Sequence, residues 1–248
     1  MANLIKTEQE IQLIKQSCQI LKEVKKILFD FIKPGISILE IDKLAYEEII
    51  KRGGKPAFLN YQGFPNTICA SLNDELIHGI PNDRILKDYD LISIDIGVIY
   101  KGYYSDSAFT KSVGKTNEEN ESLIKAAKDA FYAGINAIEK NVKISTISNA
   151  IYQEIKKHNF YTPLEFTGHG IGKNLHEKPD IPNHTFFNKT GPMLKDNMVI
   201  CIEPMILQDS PKVKILGDKW TVVARSGKKA AHYEQTVLIK NNKAEILT

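Results

Sequence analysis

Asp95 stands in the middle of the apolar run LISIDIGVIY, and this constrains the fold more than any other feature of the chain. Aspartate is a poor strand residue, and a buried carboxylate is costly unless it is paired or bound to a cation. The same oddity recurs at Asp106 in YYSDSAFT, at Glu203 in MVICIEPMIL and at Glu234 in HYEQTVLI. Singly, each has a plain reading. An aspartate can cap a backbone N–H at a strand end or turn, and a glutamate can face outward from a half-exposed sheet. Jointly they say more. Two strands of a hairpin can bring Asp95 and Asp106 to one point. Four carboxylates and one imidazole would put about four negative charges in one cavity, roughly what two divalent ions neutralise.

The imidazole is that of His169, in Gly168-His169-Gly170-Ile171-Gly172. Glycines there let the backbone come close to something bulky or charged. A G-x-G-x-G run is a weak phosphate-loop signal, and here no strand-loop-helix context with a lysine follows, so a nucleotide reading is poor. A mainly oxygen-donor set suits Mn, Fe(II), Co or Zn. Two such ions can share a water or hydroxide as nucleophile and polarise a carbonyl, with Glu203 as general base. His78 in LIHGIP and His176 in NLHEKP are spare imidazoles able to donate to a scissile carbonyl and its oxyanion; without the metal set they would read as loop histidines. His158, His184 and His232 are read as surface or structural.

The 248 residues suit one large α/β domain or two small ones, and 42% apolar with 25% charged residues is ordinary for a soluble globular protein. Net charge is +3, and the densest basic stretch, Lys22 to Lys26, reads as a helix face, too little for nucleic-acid binding. Cys18, Cys69 and Cys201 are odd in number and widely spaced, which fits neither a disulfide framework nor a zinc ribbon and favours a reducing, cytoplasmic compartment. The polar start MANLIKTEQEIQLIK predicts no signal peptide, and no apolar stretch is long enough to cross a membrane.

Thr7-x-x-Glu10 is a capping box opening a helix over 7–32, which Lys33-Pro34-Gly35 ends. Ser37-x-x-Glu40 opens a second, running to about Arg52. Strands are predicted at Asn66 to Leu72 and Asp90 to Tyr100, with a hairpin partner over 102–113 joined through Lys101-Gly102. Helical periodicity returns at 117–140 and 145–158, and 161–248 is strand-rich, with loops at Gly191-Pro192 and Ser226-Gly227. Pro204 implies a bulge or strand end. A shift of 106 residues lays Ile36-x-Ile38-x-x-Ile41 over Val142-x-Ile144-x-x-Ile147, and Tyr46, Glu48, Ile49 and Lys51 over Tyr152, Glu154, Ile155 and Lys157. Two helices followed by strands thus occur twice, which reads as two similar α+β halves about a pseudo-twofold axis, with a site between them.

These residues carry a resemblance. The ordered run Asp95, Asp106, His169, Glu203, Glu234, with H-G-I-P at His78, G-H-G-I-G-x-x-x-H-E-x-P through His176, and the I-E-P and Y-E-x-T contexts, resembles type I methionine aminopeptidases of the short bacterial form. The resemblance implies an α+β pita-bread fold: a curved antiparallel sheet flanked by helices, one catalytic domain over 1–248 with pseudo-symmetric halves of about 7–112 and 113–248. It implies two divalent ions (Co, Mn, Fe or Zn), held by those five residues. It implies hydrolysis after an N-terminal methionine when the next residue is small. The partners implied are nascent polypeptide N-termini, with the ribosome as a further contact. A cytoplasmic monomer is expected, with no nucleic-acid or membrane binding. The short His169–Glu203 interval leaves no room for the helical insertion of type II enzymes. Neither the N-terminal zinc-finger extension of longer forms nor the extra N-terminal domain of prolidase and aminopeptidase P is expected.

The same resemblance puts Phe58, Tyr61, Phe64, Cys69, His78, His176 and Trp220 around the substrate; taken singly, each aromatic reads as core. Three positions depart from the commonest family pattern. Phe58 stands where cysteine is frequent, Leu175 where an aromatic residue precedes the histidine, and Gln235 where histidine follows the glutamate. Two other functions compete. A catalytically inactive pita-bread binding protein would not need all five ligands and both histidines. An unrelated phosphoesterase would bring basic residues to the metals.

Overall fold

The structure, a computed structural model, describes residues 4–185 and 191–248. Helix α1 (Glu8–Phe31) begins as its capping box predicts: Thr7 Oγ1 accepts from Glu10 N at 3.2 Å, and the Glu10 carboxylate accepts from Thr7 N at 2.9 Å. Ser37 and Glu40 repeat the exchange at the start of α2 (Ile38–Lys51). Strands β1 (Lys55–Pro56), β2 (Ile68–Leu72), β3 (Glu75–Ile77), β4 (Leu91–Tyr100) and β5 (Tyr103–Ser112) follow. Then come α3 (Glu118–Asn136) and α4 (Ile144–Lys157). After them run β6 (Thr167–Gly170), β7 (Glu177–Pro182), β8 (Val199–Ile202), β9 (Met205–Leu207), β10 (Val213–Ile215), β11 (Val222–Ala224), β12 (Ala230–His232), β13 (Glu234–Lys240) and β14 (Lys243–Ile246). The predicted helix over 117–140 is shorter in the structure, ending at Asn136 with Ala137 as its C-cap, and Asn141 beyond it takes a left-handed φ of 61°.

The main sheet has nine strands in the order β1-β4-β5-β13-β8-β6-β7, with β2 also on β4 and β14 also on β13; every pairing is antiparallel. Side chains alternate across it with period two. On the outer face Ile92, Ile94, Ile96 and Val98 of β4 pack beneath Leu21, Val24 and Leu28 of α1 and Ile38, Ile41 and Ile49 of α2. Further along, Ile200 and Ile202 of β8 and Val237 and Ile239 of β13 pack beneath Leu123, Ala126 and Phe131 of α3 and Ile147 and Ile151 of α4. Each fully buried aliphatic side chain contributes about 1.5–3 kcal/mol of transfer free energy. The apolar half of each strand is therefore spent on the helices, and the other half faces inward. Among the described residues no helix is long and apolar enough to cross a membrane.

Candidate metal centre

Strand register assembles the inward face into two rows. In the first, Asp95 on β4 is opposite Ala108 on β5, and Ala108 is opposite Glu234 on β13. Gln235 is opposite Ile202, so the same register carried one residue on sets Glu203, just past the end of β8, beside Glu234. In the second row Gly97 is opposite Asp106, and Thr236 is opposite Cys201, which is opposite His169 on β6. The small side chain of Ala108 stands between Asp95 and Glu234, and at Gly97 a Cβ would meet Ala57 Cβ and Phe58 Cε1 at 2.8 Å. Where β5 meets β13 hydroxyls do much of the joining. Thr236 Oγ1 accepts from Asp106 N at 3.1 Å and donates to Asp106 O at 2.8 Å, and Ser107 Oγ donates to Glu234 O at 2.8 Å. The glycines beside His169 serve close approach, though not of a ligand. A Cβ at Gly168 would stand 2.4 Å from Cys201 O, and one at Gly170 2.2 Å from Lys178 O. Glycine there is what lets β6 lie tightly between its neighbours.

The five predicted ligands converge. His169 Nε2 lies 3.8 Å from Asp106 Oδ2, 3.6 Å from Glu203 Oε1 and 3.9 Å from Glu234 Oε1. These separations are too long for hydrogen bonds and suit donors that each sit about 2 Å from a shared ion. His169 Nδ1 is 2.9 Å from Gly170 O, which can only accept, so the ring proton sits on Nδ1 and the Nε2 lone pair faces the carboxylates. Burial, and then the neighbouring His176 ring, hold the His169 pKa down to about 3, so the ring is neutral.

Burial of these carboxylates calls for a compensating cation. Asp95 Oδ1, Asp106 Oδ1 and Glu234 Oε1 are buried with no hydrogen-bond partner. Burial lifts the Asp95 pKa to about 6. Burial and the facing acids push Asp106, Glu203 and Glu234 well above the usual carboxylate range. Acids so arranged repel one another and are desolvated at once, and a divalent ion relieves both costs. The donor set therefore fits a metal: carboxylate oxygens with one correctly oriented imidazole. Cys201 also brings an atom within 4.8 Å of the Asp106, His169 and Glu234 donors. Burial and those acids hold its thiol protonated, and Sγ rests 3.7 Å from Thr236 Oγ1.

Phe58, Tyr61, Phe64, Cys69, His78, His176 and Trp220 line the same cavity as the four acids and the His169 imidazole, and Gln62 and Leu175 join them. Cys69 is opposite Asp95 on β2. Phe64 meets Trp220 edge-on with centroids 5.2 Å apart. His78 sits at a left-handed φ of 58°, the kind of local strain that marks functional positions. Burial first, then the His232 and His176 rings, bring its pKa down to about 4. Burial also lowers that of His176, whose Nδ1 is 2.9 Å from Tyr61 Oη.

Two residues were not foreseen as part of this site. Gln62 follows Tyr61 in a one-turn 3₁₀ segment and carried no sequence signal. His232, read as surface or structural, is 2% exposed, with Nε2 3.6 Å from Glu203 Oε2. Its signal was its spacing: two residues before Glu234, it shares that residue's side of the chain. His184 is buried, with Nε2 3.2 Å from Leu164 O, and His158 pairs with Asp129 at 2.9 Å between α3 and α4. Gln235 touches no ligand. It faces outward and accepts from Lys25 Nζ at 2.8 Å and Thr248 Oγ1 at 3.0 Å.

Known proteins match this arrangement along most of the chain. A family model described as "Metallopeptidase family M24" matches residues 12–241. The methionine aminopeptidase of Mycoplasma capricolum subsp. capricolum is 44% identical over 246 residues, covering 98% of this chain and 97% of the relative. Methionine aminopeptidase 1 of Bacillus subtilis is 42% identical over 99% of this chain and 98% of its own. Among solved structures, methionine aminopeptidase from Rickettsia prowazekii aligns with a TM-score of 0.95 at 34% identity over 98% of both chains. Prolidase from Pyrococcus furiosus aligns at 0.80 and 26% identity, over 99% of this chain but only 65% of that longer one.

Proposed function

The chain belongs to metallopeptidase family M24, with the curved-sheet pita-bread fold of its methionine aminopeptidase branch, and from that premise we propose that it removes the N-terminal methionine of polypeptides whose second residue is small. The observation that carries this is the convergence of Asp95, Asp106, His169, Glu203 and Glu234 on the cavity that Phe58, Phe64, Cys69 and Trp220 also line. Soft, aromatic walls suit a thioether side chain. Among the described residues no lysine or arginine lines that cavity, which speaks against a phosphoesterase. An inactive binding protein would gain nothing from three orphaned carboxylate oxygens.

Asp95, Asp106, His169, Glu203 and Glu234 would hold two divalent ions, Co, Mn, Fe or Zn, which acidify a water and polarise the scissile carbonyl. Glu203 takes the proton of the attacking water. Desolvation raises its proton affinity toward that task. Proton transfer onward from Glu203 to the leaving amine completes cleavage. His78 and His176, kept neutral by burial, each offer one N–H to the carbonyl oxygen as charge develops there. The Tyr61 hydroxyl, donating to His176 Nδ1, leaves the His176 proton on Nε2. The apolar wall excludes water from the methionine side chain and sets its depth.

We read residues 1–248 as one catalytic domain, with halves of about 7–112 and 113–248 that each supply ligands. It acts as a cytoplasmic monomer on nascent chains, close to the ribosome. The test is hydrolysis of Met-Ala-Ser and Met-Lys-Ser by protein loaded in turn with Mn, Fe, Co and Zn. Methionine released from the first peptide alone is expected. Release from neither, with any metal, overturns the reading.

A further inference from the structure

We propose that His232 is a positioning residue: its Nε2–H holds Glu203 Oε2, so that Oε1 is presented beside His169. The inference rests on the reading of Glu203 as general base. His232 is 2% exposed, yet neither ring nitrogen has a hydrogen-bond partner. A buried N–H left unpaired costs about 1–3 kcal/mol, so this ring needs an acceptor. Glu234 and Asp95 are near it, but the carboxylate within ion-pair distance is Glu203. His232 Nε2 stands 3.6 Å from Oε2, and His169 Nε2 stands 3.6 Å from Oε1.

The two rings flank one carboxylate but are not equivalent. His169 hands its Nδ1–H to Gly170 O and frees Nε2 for an ion. A metal-binding histidine almost always has its second nitrogen fixed in that way, and His232 Nδ1 has no such acceptor. With the proton on Nε2, His232 leaves only a lone pair unpaired, which is the lesser cost because orphaned buried N–H groups are the rarer kind. The backbones on both sides are pinned. Thr110 Oγ1 accepts from His232 N at 2.9 Å and donates to His232 O at 2.8 Å, while Asn183 Nδ2 donates to Glu203 O at 2.8 Å. Only a small side-chain rotation separates the pair from contact, and hydrogen bonds of catalytic groups commonly tighten when a site is filled.

Two measurements decide it. The first is long-range ¹H–¹⁵N NMR of histidine-labelled, Zn(II)-loaded protein, with His232→Gln assigning the signal. The Nε2–H tautomer is expected at His232 and Nδ1–H at His169. An Nδ1–H tautomer with a metal-shifted Nε2 makes His232 a ligand and overturns the proposal. The second is kinetics on Met-Ala-Ser. His232→Leu lowers kcat about 10- to 100-fold, with KM within about two-fold. His232→Gln, which keeps an N–H, returns kcat to within about five-fold of the parent. Equal losses in both variants, or none in either, overturn it. A parent that releases no methionine refutes the peptidase reading instead, and the tautomer still decides the role of His232.

Discussion

Tyr61 Oη lies 2.9 Å from His176 Nδ1, and the two rings stand 5.5 Å apart at 57°. A phenol that donates in that position leaves the His176 proton on Nε2. Tyr61→Phe keeps the ring and loses the hydroxyl. One hydrogen bond of about 1 kcal/mol is at stake, so kcat on Met-Ala-Ser falls about five-fold with metal affinity unchanged. Steady-state kinetics beside a metal titration checks both parts.

Glu203→Gln removes a proton acceptor while nearly preserving shape. General-base catalysis contributes about 10²–10⁴-fold, so kcat falls by at least about 100-fold. Full activity in this variant would remove Glu203 from the base role.

Asp95 gives a pH dependence with a definite sign. In the metal-free protein its pKa rises from 3.8 to about 6. The folded state then holds a proton that the unfolded chain has lost between those values, so the Asp95 contribution to stability declines as pH rises through that window and is constant above it. Thermal unfolding of metal-free protein minus that of Asp95→Asn isolates this slope. Metal binding needs the deprotonated acids, so affinity weakens as pH falls, and calorimetry in two buffers records the proton release.

Ile94 and Asp95 are neighbours on opposite faces of β4. Ile94→Ala leaves a cavity beneath α1 and α2 and costs about 2–5 kcal/mol, read from urea unfolding, with metal stoichiometry retained. Asp95→Ala does the reverse: it relieves repulsion in the metal-free protein and weakens metal binding.

Much of this was legible because local chemistry and global position agree. Thr7-x-x-Glu10 and Ser37-x-x-Glu40 name their helix starts within a residue, since a capping box is satisfied within one turn. The hairpin of Asp95 and Asp106 follows from alternation and a short Lys101-Gly102 turn. The acids were conspicuous because burial is at odds with their charge. His232 was not conspicuous, because a histidine next to a tyrosine suits surface, core or site equally, and only the inter-strand register turns it toward Glu203. The glycines around His169 announce a close approach of the backbone, but not that the approaching groups are the Cys201 and Lys178 carbonyls of adjacent strands. Non-local backbone contacts of that kind leave no periodic trace. Metal identity is invisible for another reason: carboxylate oxygens discriminate weakly among these ions.

The hydroxyl bonds of Ser107, Thr110 and Thr236 have a mechanical consequence. Strands β5 and β13 share only two register pairs, Glu234 with Ala108 and Gln235 with Ser107, so the sheet has a seam there, stitched by alcohols. Asp106 lies on one side of that seam and Glu234 on the other. An ion held by both would act as a rivet, and its affinity would become mechanical strength across the middle of the molecule. Chelation should thus let amide exchange start at Asp106 and Thr236 while the helix-covered strands stay closed.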